Sequence, residues 1–486
     1  MAARLLDVPI YSLIEQLKYH DLINLALSCR YFIREIYFRA KPIVKLNSPR
    51  YAERIIRFFK NARLKISDFR LFTDSEIRAL RGNVVDMDLR SFVKSFPSIK
   101  LDEFKEVRSL FVEKVDLEVI PSTVTELCIS DLKVRGEIKS VLFTDLLDLE
   151  IWADGAITDN VLGLLTKLTR LQIMNETGIT DGSLSKLVNL REFILNTLSE
   201  GITDAGVVCL TKLTSLRLEG QRYITDNIFG YLPNLVELLI SGKTNTSEIG
   251  IGRLKNLKTL WIYTEMKFSD SVMKQMTSLT ELQIGSVKKL TSEGLLGLTN
   301  MVRLAVGKNK IDNRGVVNMI DLRALNLYNN VKITDDGLSN KLTELRIESN
   351  DVISDVGLSR LTRLKKLVLS FNRKITDVGL ASLRDTLEFL DLSDENLITD
   401  VGLKALTKLT FLNLMGNGRI TDVGVSALVN LRCVELGMGG VGSVNVTFEC
   451  LIRLKNIRKI RGIHRVAGID DRKKRMLADR GIIIRL

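Results

Sequence analysis

Histidine is almost missing from this chain of 486 residues: His20 and His464 are the only two, and neither has a His or Cys partner nearby in sequence. Nucleophile–base pairs and metal sites draw heavily on that side chain, so such catalysis has little raw material. The five cysteines, Cys29, Cys128, Cys209, Cys433 and Cys450, are scattered without a C-x-x-C pair. That excludes a disulfide framework and a zinc site and fits a reducing compartment. Only 6 prolines and 2 tryptophans occur, while 45% of residues are hydrophobic and 27% charged, which excludes collagen-like and wholly disordered chains. No apolar run approaches the ~20 residues that cross a bilayer. The opening residues, Met1 to Pro9, lack an apolar stretch followed by a small-residue cleavage site. The expected setting is therefore cytoplasmic, with the nucleus left open and no membrane involved.

Positive charge is in excess, 71 Lys and Arg against 58 Asp and Glu, but it is gathered at the two ends. Residues 1–100 hold 19 basic and 10 acidic side chains, and residues 450–486 hold 12 and 3. The long middle, 101–449, is mildly acidic with 40 against 45. A nucleic-acid binder carries its basic stripe along the binding element, so this distribution disfavours nucleic acid as a partner.

The middle is periodic. A unit written L-x-x-L-x-L, a turn, then I-T-D-x-x-G-L-x-x-L or a close variant starts at Leu146, Leu168, Leu190, Leu213, Leu235, Leu257, Leu279, Met301, Leu322, Leu342, Leu364, Leu387, Leu409 and Leu431. Intervals are mostly 22 residues. The first half alternates as a short strand does. In the second half, the Thr or Asp after the isoleucine stands where a helix N-cap accepts a backbone N–H, as in Ile398-Thr399-Asp400. Leu403, Leu406 and Leu409 keep helix-like spacing, which predicts about two turns of helix per unit. Asn309, Asn330, Asn350, Asn372 and Asn417 share the ninth place and are expected to bond backbone groups of the turn, one unit above another. Weaker copies precede the regular ones: Val124–Ile129 and Val107–Val112 keep the strand half, and Phe72–Leu80 keeps the helix half. Units this short cannot close a core alone and must stack.

These residues resemble leucine-rich repeats of the I-T-D-x-G-L type common in F-box/leucine-rich-repeat proteins. The resemblance implies an α/β fold, a leucine-rich-repeat solenoid with a parallel concave β-sheet and short convex helices. Residues 41–456 form the array (41–123 degenerate, 124–456 regular), and 457–486 a C-terminal cap. Residues 1–40 break the period. Leu13, Ile14, Leu17, Asp21, Leu22 and Leu25, followed by Ala26, Cys29, Arg30 and Tyr31, look like an F-box, although Pro9 is displaced from the family's opening Leu-Pro. The other reading of this segment is a helical cap shielding the first repeat. If it is an F-box, the resemblance implies that those six residues bind the Skp-type adaptor of a cullin–RING ubiquitin ligase. The chain would then be a non-enzymatic substrate receptor of an SCF-type ligase, needing no cofactor. The alternative is a stand-alone repeat scaffold or inhibitor unconnected with ubiquitin.

Other motifs carry less. Residues 437–444, Gly437 to Val444, nearly spell a phosphate-binding loop. However, Ser443 stands where lysine must neutralise phosphate, and Val444 where a hydroxyl must hold magnesium. The recurring Asp residues suit helix capping and come without a second type of metal ligand. The run Arg472–Arg475 is either a nuclear-import or nucleic-acid patch or, as such runs more often are, the solvated face of a capping helix. The strands are more informative. Side chains at places three, five and seven leave the core for the concave side, and both tryptophans fall there. The candidate partner-binding residues are Trp152, Arg170, Ile194, Leu239, Trp261, Tyr263 and Arg346, with a second aromatic group at Phe389 and Phe411. Trp, Tyr and Arg on an open face are the residues that dominate protein-binding hot spots, so a protein target is expected on that face.

Overall fold

The computed structural model describes residues 43–46, 55, 62–66, 73–89, 101–112 and 120–129. It then describes 144–485 apart from 153–156, 176–177, 198–199, 286, 288, 308–309, 395–396 and 438–444. These residues fall into two compact units, one ending at Leu235 and including Lys243–Asn245, the other formed by Val236–Gly242 and residues from Thr246 onward. Each is an α/β stack of the same repeat. The first holds nine described strands, from Ile43–Leu46 to Ser215–Glu219, and the second twelve, from Glu237–Ser241 to Ile483–Arg485. Within each unit a strand pairs in parallel with the strand of the next repeat, as Glu344–Glu348 does with Lys366–Ser370.

Every regular strand begins two residues after its repeat's opening leucine, as sequence spacing requires: Asp148 after Leu146, Lys366 after Leu364, Phe411 after Leu409. The alternation is equally direct. In Glu281–Ile284 and Glu344–Glu348, places four and six are buried while three and five are not. Leu364, Leu367 and Leu369 of one repeat are almost wholly buried, as are Leu387, Leu390 and Leu392 of the next. The degenerate copies also fold as read, giving strands Ser109–Val112 and Glu126–Ile129 and a helix Asp74–Leu80 capped by Thr73 and Glu76 in a reciprocal box. At the far end Asp470 caps the helix Asp471–Asp479. Gly481, at φ 76°, turns the chain into the strand Ile483–Arg485.

Two expectations need correction. The helices are about one turn, not two: Asp377–Ala381 and Asp400–Lys404 have five residues each, and several others four. The leucines that followed at three-residue spacing are buried by successive tight turns instead, with Leu406 N–H donating to the Leu403 carbonyl and Leu409 N–H to that of Leu406. A three-residue rhythm serves either geometry. The aspartate, moreover, does not cap its own helix. Thr399 does that, its hydroxyl accepting from Val401 N–H at 3.3 Å. Asp377, one repeat earlier, accepts the backbone N–H of Thr399 at 2.8 Å and its hydroxyl at 2.6 Å. The same double bond links Asp181 to Thr203, Asp204 to Thr225, Asp355 to Thr376 and Asp400 to Thr421.

This bridge explains the glycine two residues after the aspartate. A Cβ at Gly206, Gly402 or Gly424 would stand 2.5 Å from the preceding repeat's aspartate Oδ1, closer than real Cβ contacts come. The glycines are there for close approach, since none of the three has a left-handed φ. The asparagine ladder runs beside it. Asn372 donates to the Asn350 carbonyl and accepts from Lys374 N–H at 3.0 Å and Ile375 N–H at 2.8 Å. Asn330, Asn350 and Asn417 behave alike, Gln221 takes the corresponding place in the first unit, and all are buried. Asn309 lies outside the described residues.

Gly402→Ala should destabilise the protein by about 1–3 kcal/mol, the usual cost of forcing an atom into a close-packed site. Urea unfolding followed by circular dichroism checks this, with exposed Val401→Ala as a neighbour that leaves the midpoint in place. Acid behaviour gives a second check. Burial alone would raise the Asp159 carboxyl, but hydrogen bonds from Ser183 and Thr180 outweigh it and hold the group below its ordinary value of 3.8. A lowered folded pKa contributes stability that is complete above the unfolded value and is lost as pH falls through the folded one. Asp159→Asn should therefore unfold more easily than wild type at pH 7, with the gap closing below about pH 4.

Candidate functional site

The open sheet face is built from side chains at places three, five and seven, which the leucine core does not need. Its residues are set by the register. Leu239 stands beside Trp261, Trp261 beside Gln283, and Gln283 beside Ala305. Leu239 and Trp261 are half-buried neighbours, and Tyr263, two residues along the same strand, is exposed on the same face, so the three give the second unit a local group of apolar and aromatic side chains. Glu281 ties it down. One of its oxygens accepts the Trp261 indole N–H at 3.0 Å, and the other accepts from Arg303 Nε at 2.7 Å. Burial foremost, with Glu281 in support, pushes the Tyr263 hydroxyl up. A tyrosine there stays a neutral donor.

Arg346 lies on the same unit four strands further on, exposed, with its guanidinium on Glu348. It does not join the Trp261 group. In the first unit Trp152 is 40% exposed at place seven and donates its indole N–H to Glu150. Arg170 is ringed by Asp148 at 2.9 Å, Glu192 at 3.4 Å and Glu150 at 3.9 Å. Ile194 corrects the expectation of an open contact residue: it is only 6% exposed, lying in register between the longer side chains of Gln172 and Arg217. Exposure at place five therefore depends on the length of the side chain relative to its register neighbours: Ile194 is covered, whereas the longer Trp261 reaches past Leu239 and Gln283. The six F-box-like residues, Leu13, Ile14, Leu17, Asp21, Leu22 and Leu25, lie outside the described residues, as does most of the glycine-rich segment, 438–444.

Two features of the second unit exceed the sequence reading. The first is a stack. Phe389 and Phe411, directly opposed in register, have ring centroids 4.1 Å apart and planes within 1°, and Lys366 Nζ stands 5.2 Å from the Phe389 centroid. The second is a basin of about 210 Å³ between Gln283 and Val368, with Ala305, Ala324 and Asn326 among its lining residues and Arg303, Glu344, Arg346 and Lys366 also bordering it. The signal for it was an absence of bulk, with Ala305 at place five and Ala324 at place three where neighbouring repeats carry long side chains.

Among the described residues no group of three or more His, Cys, Asp or Glu could hold a metal ion. Cys450, foremost through burial, is pushed up to about 12, which keeps it a thiol. No described helix is long and apolar enough to cross a membrane. The site's chemistry is contact: aromatic and aliphatic surface interleaved with oriented ion pairs.

The two tryptophans offer a direct test of this geometry. Trp152→Phe leaves Trp261 as the sole indole, and Trp261→Phe leaves Trp152. Acrylamide should quench the fluorescence of the Trp261→Phe protein the more strongly, because its remaining indole is the exposed one. Equal quenching would contradict the placement.

Comparison with known proteins agrees with this fold. Models described as leucine-rich repeats match residues 385–437 and, in two further copies, 339–362 and 360–383, and no F-box model is matched. No curated protein sequence matches. Among solved structures the chain is similar to an internalin of Listeria monocytogenes, at 23% identity over 61% of this chain and 81% of that one, with a TM-score of 0.37. It is similar to the Rad7 and Elc1 complex of yeast at 19%, over 63% and 84%, with a TM-score of 0.43. It is also similar to a leucine-rich-repeat protein of Leptospira interrogans at 17%, over 85% and 98%, with a TM-score of 0.41. At these identities and scores none of the three bears on function. The repeat matches and the stacked strand–turn–helix units together make the fold a leucine-rich-repeat α/β scaffold, a form suited to binding protein.

Proposed function

We propose that the protein is a non-enzymatic recognition subunit that grips a protein target on its open sheet face and delivers it to an SCF-type cullin–RING ubiquitin ligase. One observation carries the binding half. Leu239, Trp261 and Tyr263 give a local group of apolar and aromatic side chains on a face that stacking does not require, within a lattice of charged side chains. Aromatic anchors amid polar surroundings are the composition of binding hot spots. The ligase half is supported by residues 13–31, whose Leu17, Asp21-Leu22, Leu25-Ala26 and Cys29-Arg30-Tyr31 keep F-box spacing directly ahead of the repeats. In such an arrangement the receptor performs no bond chemistry. It raises the effective concentration of target beside the conjugating enzyme. The second reading, a repeat scaffold or inhibitor without an adaptor, keeps the sheet face and gives residues 1–40 a capping role.

Affinity capture followed by mass spectrometry separates the two. The ligase reading expects a Skp-type adaptor and cullin with the wild-type chain, and their loss with Leu22→Asp plus Leu25→Asp. If neither subunit is captured, or the double variant captures both, that reading is wrong. Separately, Trp261→Ala should weaken target capture at least tenfold while the unfolding midpoint moves little. Unchanged capture would remove the sheet face from the account.

A further inference from the structure

The charged groups of the second unit's open face are not evenly presented. Arg303 is bonded to Glu281, yet its side chain is 61% exposed and the carboxylate 14%. Arg346 and Glu348 repeat the arrangement at 51% and 15%. In both pairs the carboxylate is underneath and the guanidinium outside. Each glutamate engages the Nε and Nη2 edge of its arginine, so the Nη1 edge is turned elsewhere and its direction is fixed by the bond. Arg170 in the first unit is the opposite case: it is no more exposed than Asp148 and Glu192, and it serves three carboxylates. An exposed cation over a shielded carboxylate recurs at Lys65 with Asp86 and at Arg461 with Glu435, but Arg303 and Arg346 are the two of these that border one basin.

At about 210 Å³ that basin is smaller than the roughly 300 Å³ at which small-molecule sites begin. Its lining includes Ala305, Ala324 and Asn326, too short to fill it. One large apolar side chain would fit, and a polypeptide supplies such a side chain with flanking groups on both sides. We propose that the basin receives an acidic segment of a partner protein, one leucine-sized or aromatic side chain seated over Ala305 and neighbouring Asp or Glu carboxylates on Arg303 and Arg346. Preoriented guanidinium groups bind carboxylate with little further ordering, and a desolvated anchor beside them supplies the affinity. Lys366 is held between Glu344 at 3.5 Å and the Phe389 ring. That carboxylate is at least as exposed as the lysine, so the pair is neutral toward a partner and leaves Arg303 and Arg346 as the outward cations of the basin. The inference rests on the sheet-face reading above but assigns the partner's chemistry.

The test uses the full chain and a fluorescein-labelled nonapeptide of eight glutamates around one central leucine, followed by fluorescence anisotropy. Two control peptides replace the leucine by serine or the glutamates by lysine. The leucine–glutamate peptide should bind, and each control at least tenfold more weakly. Ala305→Trp, which fills the basin with a side chain that points out of the core, should cost at least tenfold. Arg346→Glu, which reverses the charge without adding bulk to the basin, should do the same and should move preference toward the lysine peptide. Circular dichroism melting confirms that both variants are folded. The proposal is overturned if wild type does not bind the leucine–glutamate peptide, if the lysine peptide binds as well, or if both variants bind like wild type. Should the basin variants have no effect while Trp261→Ala still abolishes target capture, the acidic-segment proposal alone fails and the sheet-face reading stands.

Discussion

Everything in this architecture depends on one polar bridge between successive repeats. A repeat of about 22 residues buries its leucines only against its neighbours, so the repeats must be held at a fixed separation. The aspartate that opens one helix sets that separation by accepting the backbone N–H and the hydroxyl of the threonine that caps the next. The threonine is thereby committed twice, to its own helix and to its neighbour. The glycine follows as a consequence, because the carboxylate occupies the space a Cβ would take. Where the residue types change, the bonding logic survives. Asn313 replaces aspartate and accepts from Thr334 N–H, Asp335 meets Ser354, and around Ser292 and Asp312 the carboxylate comes from the later repeat.

Because helix starts, asparagine ladder and leucines carry the stacking, the open sheet face is released from structural duty. Its residues vary from repeat to repeat far more than the bridge residues, whose few exchanges keep the same bonding groups. Trp261, Gln283, Ala305, Asn326 and Arg346 occupy one place in five consecutive strands. A face whose composition is unconstrained by folding is where recognition can be written.

The repeat, the strand starts and the buried set were legible because Leu at places one, four and six admits one geometry only: strands whose alternate side chains share a core. Helix length was not legible, since Leu403, Leu406 and Leu409 satisfy tight turns as well as a helix. The aspartate's role was misread because sequence shows it beside the helix it opens, whereas its bonds go to a residue about 22 positions later. Ile194 illustrates a further limit. An outward position says where a side chain leaves the backbone, while its exposure depends on the neighbours that register supplies, here Gln172 and Arg217. The basin is the converse, an opening made by short side chains that only adjacency of strands reveals.

The ion pairs of the open face contribute little to folding, since exposed pairs are worth about 0–1 kcal/mol. Their value lies in orientation. A lone arginine on a surface samples many rotamers and must lose that freedom on binding, whereas one already held by a shielded glutamate has lost it beforehand. Placing the carboxylate beneath and the guanidinium above, as in Arg303 with Glu281, also fixes which charge a partner meets. Reversing the proportions, as around Arg170, presents the other sign on the same backbone. A repeat scaffold can therefore change what it recognises by exchanging residues at places three, five and seven, while the aspartate–threonine bridges keep the stack unchanged. Specificity and stability are carried by different positions of one short unit, and this separation is the physical basis for reading the protein as a recognition subunit.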